Sequence, residues 1–345
     1  MKALIIIPTH DHASLLPLAV RSAQEQTEAD VGIAIIGDGV GDDTRSAVAP
    51  LLADPRISFL DLPKAGRTGE VHRHRVLADE NLAADFITYL GDDDLLLPDH
   101  VEVMGETLAR CDVAHSTQTY VDEHGVCHYD AMDLGDPEWA QMEFVDSLVS
   151  LTGLSHTLAA YRRLPYGWRS TPPGVYTDQY MVQQFLAQPW CRMGCAGVVT
   201  VLRFPSSMRP SMTAEQRYDE MSTWADRLAT DEGRNSFRAT MEQTILREAS
   251  VIRRRAINFE RRVIQLTTDL STSSDALTSI TDTLASATTA HRSEVEQLTR
   301  QVAEFETELS AMSVAYRQLR STRALRLRDA LVKNRLLRAL LARKS

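Results

Sequence analysis

Three carboxylates in succession, Asp92, Asp93 and Asp94, close the segment Tyr89-Leu90-Gly91-Asp92-Asp93-Asp94, directly after an apolar run. Adjacent carboxylates repel one another unless a cation neutralises them, and an oxygen donor set suits Mg2+ or Mn2+. Such a cation is held by one or two carboxylates and shares its other positions with water and substrate phosphates, so the cluster points to a phosphate-bearing substrate. The plainer alternative is a solvated acidic turn capping the helix that Pro98 opens. Asp38, in Ile36-Gly37-Asp38-Gly39, can accept a hydrogen bond from a base or a ribose. Its glycines do not form a dinucleotide fingerprint, because Gly37, Gly39 and Gly41 lead into Asp42 and the first apolar run leads into Pro8-Thr9-His10. Between Lys64 and Arg75 cations are concentrated, and Arg67, Arg73 or Arg75 offers a guanidinium fork to a diphosphate. Asp178, in Val175-Tyr176-Thr177-Asp178, opens a helical stretch, where a carboxylate by itself need only complement the helix dipole. His156 is a reserve candidate for contact with an acceptor, although a lone histidine is more often structural.

These residues need a scaffold, and the first third of the chain supplies its pattern. Ala3 to Ile7, Val31 to Ile36, Ile57 to Leu62 and Phe86 to Leu90 are apolar on both faces, as parallel strands covered by helices must be. Helical stretches alternate with them, over about 14–26, 43–52, 69–82 and 98–110. The alternation predicts an α/β domain with a mostly parallel sheet, whose ligands bind beyond the carboxyl ends of the strands. Residues 112–205 read as mixed, with a hairpin turn at Glu123-His124-Gly125 and a helix from about Asp178 to Ala187.

The chain has 37 Lys and Arg against 47 Asp and Glu, a formal charge of −10, which disfavours a dedicated nucleic-acid binder. Cys111, Cys127, Cys191 and Cys195 fit neither a disulfide framework nor a zinc site, and read as reduced thiols of a cytoplasmic protein. Met1 to Pro8 is too short for a signal peptide, and no apolar stretch reaches the length of a membrane span.

Beyond Gly233 glycine and proline vanish. Apolar residues then recur at steps of four and three, through Ile245, Ala249, Ile252, Ala256, Phe259, Val263, Leu266 and Leu270. The pattern resumes from Leu298 to Leu319 after a stutter at Ala287, His291 and Val295. It predicts a coiled coil that joins copies of the chain as a parallel dimer or trimer with a continuous rod. The last stretch, Arg317 to Ser345, carries ten basic residues against the single Asp329, with leucines at roughly helical spacing. That composition suits a basic amphipathic helix on an anionic membrane surface. The expected organisation is a catalytic domain over 1–230, a coiled coil over 240–320 and a basic tail over 321–345.

Taken together, the landmarks over residues 3–110 resemble family 2 glycosyltransferases with the GT-A fold. Ile5-Ile6-Ile7-Pro8-Thr9 is similar to the family's opening strand, and Ala23-Gln24-Glu25-Gln26-Thr27 to its S-x-x-x-Q-T helix end. Ile36-Gly37-Asp38-Gly39-Val40 is similar to its D-D-G-S, Arg73-His74 stands at its R-N, and Gly91 to Asp94 with Pro98-Asp99 resembles its DxD strand and P-D helix. Gly91 stands where many members have an aspartate. The resemblance extends over about residues 1–205 and implies a nucleotide-diphosphate sugar donor with a glycan or lipid-linked acceptor. By the same resemblance Pro8, Thr9, Asp38, Arg67, Arg73 and Asp92 bind the donor, Asp92, Asp93 and Asp94 hold Mn2+ or Mg2+, and Asp178 is the catalytic base. It implies a metal-dependent, inverting transfer in cell-envelope or secreted glycan assembly, at the inner face of the membrane. Two other functions fit parts of the pattern. A nucleotidyltransferase would need a glycine-rich basic loop after the first strand, which is missing here, and a degenerate scaffold built around the coiled coil would not need Asp92 to Asp94 and Asp178 together.

Overall fold

The computed structural model describes residues 1–130, 132–284 and 292–320. In chain order the elements are β1 (Ala3–Thr9), α1 (Leu16–Gln24), β2 (Val31–Asp38), α2 (Asp42–Val48), β3 (Ile57–Leu62), α3 (Glu70–Leu77), β4 (Phe86–Tyr89) and β5 (Leu95–Leu96). There follow α4 (His100–Leu108), β6 (Val113–Val121), β7 (Cys127–Asp130), α5 (Pro137–Met142), β8 (Leu154–Thr157), α6 (Leu158–Arg162) and α7 (Thr177–Leu186). The last are β9 (Met193–Val199), β10 (Val201–Leu202), α8 (Ala214–Ala229), α9 (Asp231–Leu284) and α10 (Arg292–Arg320). The four strands read from apolar runs all form. The helix expected over 69–82 is shorter: α3 stops at Leu77, and beyond it the Asp79 side chain accepts the Asn81 backbone N–H at 2.9 Å, an alternative to helix that short polar residues favour.

The main sheet runs β3-β2-β1-β4-β8-β6-β7, with β9 on β6. Strands β3, β2, β1 and β4 are parallel, while β8 enters antiparallel between β4 and β6. Alternation along β1 explains why both faces are covered. Ile5 and Ile7 point into a core shared with α1, α4 and α8, and Leu4 and Ile6 into a second core with α3, α6 and α7. Each of these isoleucines is fully buried, worth about 1.5–3 kcal/mol apiece. The first compact unit extends to Thr244, beyond the expected boundary at 230, because Phe237 and Met241 at the start of α9 are buried in the first core.

In the second unit, from Ile245, the expected seam positions Ile245, Ala249, Ala256 and Leu266 are buried. The expected continuous rod does not form. α9 ends at Leu284, α10 begins at Arg292, and the Tyr316 hydroxyl donates to Glu260, so α10 returns along α9. The stutter positions Ala287 and His291 and the tail 321–345 lie outside the described residues. Among the described residues no helix is long and apolar enough to cross a membrane.

The second core corrects one site expectation. His156, expected at the acceptor, is fully buried in β8 between Tyr89, Tyr161 and Phe185. Its Nδ1–H donates to the Thr157 carbonyl at 3.1 Å, and its Nε2 accepts from the Tyr89 hydroxyl at 2.8 Å. The Tyr89 oxygen in turn accepts from Trp168 Nε1 at 2.7 Å. Burial pulls the imidazole down to about 4, so it is neutral and occupied. The unfolded chain, with an ordinary His near 6.5, binds this proton first, so the stability His156 contributes is full above about pH 6.5 and is lost as pH falls towards 4. His156→Gln is therefore less stable than wild type at pH 7 but loses about 1–2 kcal/mol less between pH 7 and pH 5, measured by chemical denaturation at both pH values.

Candidate active site

The carboxyl ends of β1, β2 and β4 lie side by side, with Thr9 opposite Gly37 and Ile6 opposite Tyr89 in register. Beyond them opens a cleft of about 460 Å3 whose walls include Pro8, Thr9, Asp38, Arg73, Asp92 and Asp178. Five stretches far apart in sequence thus meet in one cavity. His12, Lys64, Thr68 and Tyr176 also line it. Arg67 does not: it is solvent-exposed, and its backbone carbonyl accepts from Lys64 Nζ at 3.2 Å.

Asp38 ends β2 as a buried carboxylate. Lys64 Nζ donates to its Oδ2 at 2.5 Å, the Ala65 N–H to its Oδ1 at 2.6 Å, and His72 Nε2 lies 3.3 Å from Oδ1. Burial raises its pKa, but the Lys64 ammonium and the Ala65 N–H outweigh it and hold Asp38 below the usual range. The close approach of Lys64 requires Gly39, which sits at φ 66° and whose Cβ would come within 2.6 Å of Lys64.

Arg73 is carried by α3, 2% exposed, with its guanidinium 4.4 Å over the Trp168 ring. Its Nε has no hydrogen-bond partner among the described residues, and neither has the buried Thr9 Oγ1. Two orphaned donors on one cleft are what a polar ligand would satisfy. Glu70, one helical turn before His74, ties the neighbourhood together. It accepts from the Thr68 N–H at 3.0 Å and from the Thr171 hydroxyl at 2.9 Å, joining the start of α3 to the loop that leads into α7.

On the far wall Asp178 lies in the first turn of α7 and accepts from the Leu151 N–H at 3.0 Å. Burial raises its pKa, against its backbone donors and the Arg73 charge. A carboxylate so raised is a better proton acceptor than a solvated one.

The acidic triplet does not act as one group. Asp92 faces His12, whose Nδ1 donates to Asp92 Oδ1 at 2.8 Å. That hydrogen bond, against burial, lifts the imidazole to about 9. Asp93 Oδ2 accepts from Arg217 Nη2 at 2.7 Å and from the Ser206 hydroxyl at 2.9 Å. Asp94 turns away from the cleft. Its Oδ2 accepts from the Thr152 hydroxyl and its Oδ1 from the Phe204 N–H at 2.8 Å, while burial, then the Asp93 charge, push its pKa up. Of the expected metal set, Asp94 is therefore bound into the protein, while His12 lies beside Asp92 and Asp93. Ligand atoms of His12, Asp92 and Asp93 lie within 4.8 Å of one another, a mixed oxygen and nitrogen set that could hold a divalent cation once His12 gives up a proton. Gly91 follows from the same packing, since a Cβ there would stand 2.9 Å from Asp94 Oδ2.

Sequence reasoning missed His12, Lys64 and Arg217. Lys64 begins the cation-rich stretch, so its type was visible but its partner was not. Arg217 leaves a trace in the sequence: it precedes Met221, Ala225 and Leu228 on the buried stripe of α8, where a charged residue calls for a partner.

The sequence model of glycosyl transferase family 2 matches residues 4–165. That segment is similar to a family 2 glycosyltransferase domain, and the cleft lies at the carboxyl ends of its parallel strands. No curated protein sequence matches the chain. Among solved structures, S. aureus TarS residues 1–349 shares 15% identity with a TM-score of 0.45, covering 59% of this chain and 60% of that one. The same TarS fragment in complex with UDP-GlcNAc shares 14% identity at a TM-score of 0.48, covering 67% of this chain and 68% of that one. The galactosyltransferase LgtC, in complex with donor and acceptor sugar analogues, shares 14% identity at a TM-score of 0.39, covering 64% of this chain and 95% of that one.

Asp94→Ala leaves the Phe204 N–H and the Thr152 hydroxyl without their buried acceptor. It should destabilise the fold by about 1–3 kcal/mol in chemical denaturation, whereas Asp92→Ala, whose partner His12 reaches solvent, costs clearly less.

Proposed function

We propose that the chain is an inverting glycosyltransferase that moves a sugar from a nucleotide diphosphate to an acceptor hydroxyl. One observation carries the reading: Asp178 shares a single cleft with Asp38, Arg73 and Asp92, so a proton acceptor and a donor-binding wall lie around one sugar-sized space. Asp38 and Thr9 accept and donate to the nucleoside, and Arg73 pairs with the diphosphate through its unsatisfied guanidinium. Asp178 accepts the proton of the acceptor hydroxyl while that oxygen attacks the anomeric carbon. The bond from that carbon to the diphosphate oxygen breaks in the same displacement, and the electron pair leaves with the diphosphate. Asp92, Asp93 and His12 would hold a divalent cation, which when bound supplies charge stabilisation for the leaving diphosphate. Backbone and hydroxyl donors around the cleft fix these side chains in advance, which is where preorganised electrostatic stabilisation originates.

Asp178→Asn keeps the size of the side chain and its acceptor for Leu151 but removes the base. It should lower the transfer rate by about 10^2 to 10^4 while the affinity for nucleoside diphosphate, followed by thermal shift with Mn2+, stays within a few fold. Parallel loss of rate and of diphosphate binding would mark Asp178 as a binding residue instead.

The same reading extends to the C-terminal third on sequence grounds. The heptad-like stripe is proposed to join copies of the chain, and the basic tail to dock on the anionic inner face of a cell membrane, where envelope or secreted glycans are assembled. Several cations at about 1 kcal/mol each, multiplied by avidity, suffice for reversible docking. Light scattering should return an oligomer, and the intact chain should pellet with anionic but not neutral vesicles. A monomer, or a chain ending at residue 319 that pellets equally, contradicts the respective part.

A further inference from the structure

The cation-binding acids are already paired within the chain. Arg217 Nη2 donates to Asp93 Oδ2 at 2.7 Å and to Ser206 Oγ at 2.9 Å, and the Ser206 hydroxyl donates to the same Asp93 oxygen at 2.9 Å. Arg217 Nη1 stands 3.4 Å from His12 Nε2, so the guanidinium touches two of the three groups of the Asp92, Asp93 and His12 cluster. Side chains of Arg217 and Asp93 are 16% and 18% exposed, which places the pair where screening by water is weak.

The helix that carries Arg217 is rigidly seated. Thr213 and Gln216 cap α8 reciprocally, at 3.2 and 2.8 Å, one residue before Arg217. Arg209 grips Glu220 through two bonds, at 2.7 and 3.1 Å, and fixes the preceding loop to the next turn. The Arg217 Nε is buried without a partner among the described residues, so the guanidinium is incompletely satisfied where it stands.

A divalent cation bound to Asp93 would sit within a few ångströms of a guanidinium held on the same carboxylate oxygen. Like charges at that separation in a half-dry cleft exclude one another. We propose that Arg217 is an internal competitor of the divalent cation: it occupies Asp93 until a diphosphate arrives to accept the guanidinium, and so makes cation and diphosphate binding mutually dependent. The inference rests on the transferase reading for the role of the diphosphate. The competition itself rests only on the Arg217–Asp93 pair. Guanidinium geometry suits both stations, since its fork matches carboxylate and phosphate oxygens alike. Linkage makes the effect reciprocal, so whatever diphosphate contributes to cation affinity the cation contributes to diphosphate affinity.

Binding of Mn2+ alone to the intact chain, followed by electron paramagnetic resonance of the free ion, tests the competition without any turnover. Arg217→Gln should bind Mn2+ at least tenfold more tightly than wild type, and Arg217→Lys, which keeps the charge, should stay close to wild type. Ser206→Ala removes one anchor of the guanidinium from an exposed loop position and should shift affinity in the same direction by a smaller factor, so it decides the matter if Arg217→Gln fails to fold. Adding uridine diphosphate should tighten Mn2+ binding in wild type and much less in Arg217→Gln. Mn2+ affinity that is unchanged, weaker or undetectable in Arg217→Gln, or unchanged in Ser206→Ala where only that variant folds, overturns the proposal. Absence of transfer with every nucleotide sugar would instead overturn the transferase reading and leave the Mn2+ comparison standing.

Discussion

Five carboxylates, Asp38, Asp92, Asp93, Asp94 and Asp178, are gathered at one end of the sheet, and their mutual repulsion is the constraint around which the rest of the domain is arranged. Each is offset by a different device. Lys64 faces Asp38, His12 faces Asp92, Arg217 faces Asp93, and Asp94 is buried against a hydroxyl and a backbone N–H. Asp178 is held by the Leu151 N–H with Arg73 nearby. Removing a charged partner from such a cluster leaves an uncompensated charge in a poorly hydrated place, which costs more than the pair contributes.

This arrangement explains why the domain cannot stop where the family match stops. Residues 4–165 supply the strands, Asp38, Arg73 and the acidic triplet, but Asp178, Ser206 and Arg217 come from later segments. Helix α8 packs Met221, Ala225 and Leu228 into the first core and delivers Arg217 to the acids from the same face. Core packing and charge compensation are therefore one structural event. Glu70 does the corresponding work on the opposite wall, where its buried carboxylate gathers the Thr68 and Thr171 donors and joins the start of α3 to the loop before α7. Against these walls stand the buried Arg73 Nε and Thr9 Oγ1, whose hydrogen-bonding capacity no described protein group satisfies.

Much of this architecture is legible in the order of residues alone. The double-faced apolar runs of β1, β2, β3 and β4 identify parallel strands because only a strand covered on both sides can be apolar at every position. Chemistry placed at the ends of such strands falls at the carboxyl edge of the sheet, which is why Thr9, Asp38 and Asp92 group together from sequence and are found on one cleft. The short helix at α3 and the β8 strand are less legible, since side chain to backbone bonds such as that of Asp79, and antiparallel insertion between β4 and β6, depend on partners that local periodicity does not reveal.

What the sequence determined by itself was the alternation of strand and helix, the positions of the acids, and the long apolar stripe beyond Gly233. Tertiary structure decided which acids do which work. His156 and Asp94 look reactive in sequence, yet burial against Tyr89 and against Thr152 turns them into structural groups. His12 and Arg217, 205 residues apart, look unremarkable and become the groups that meet the acidic pair. The reason is electrostatic and geometric: residue type sets what a side chain can donate or accept, while its charge state and its partner depend on desolvation and on neighbours that only the folded chain brings within about 3 Å.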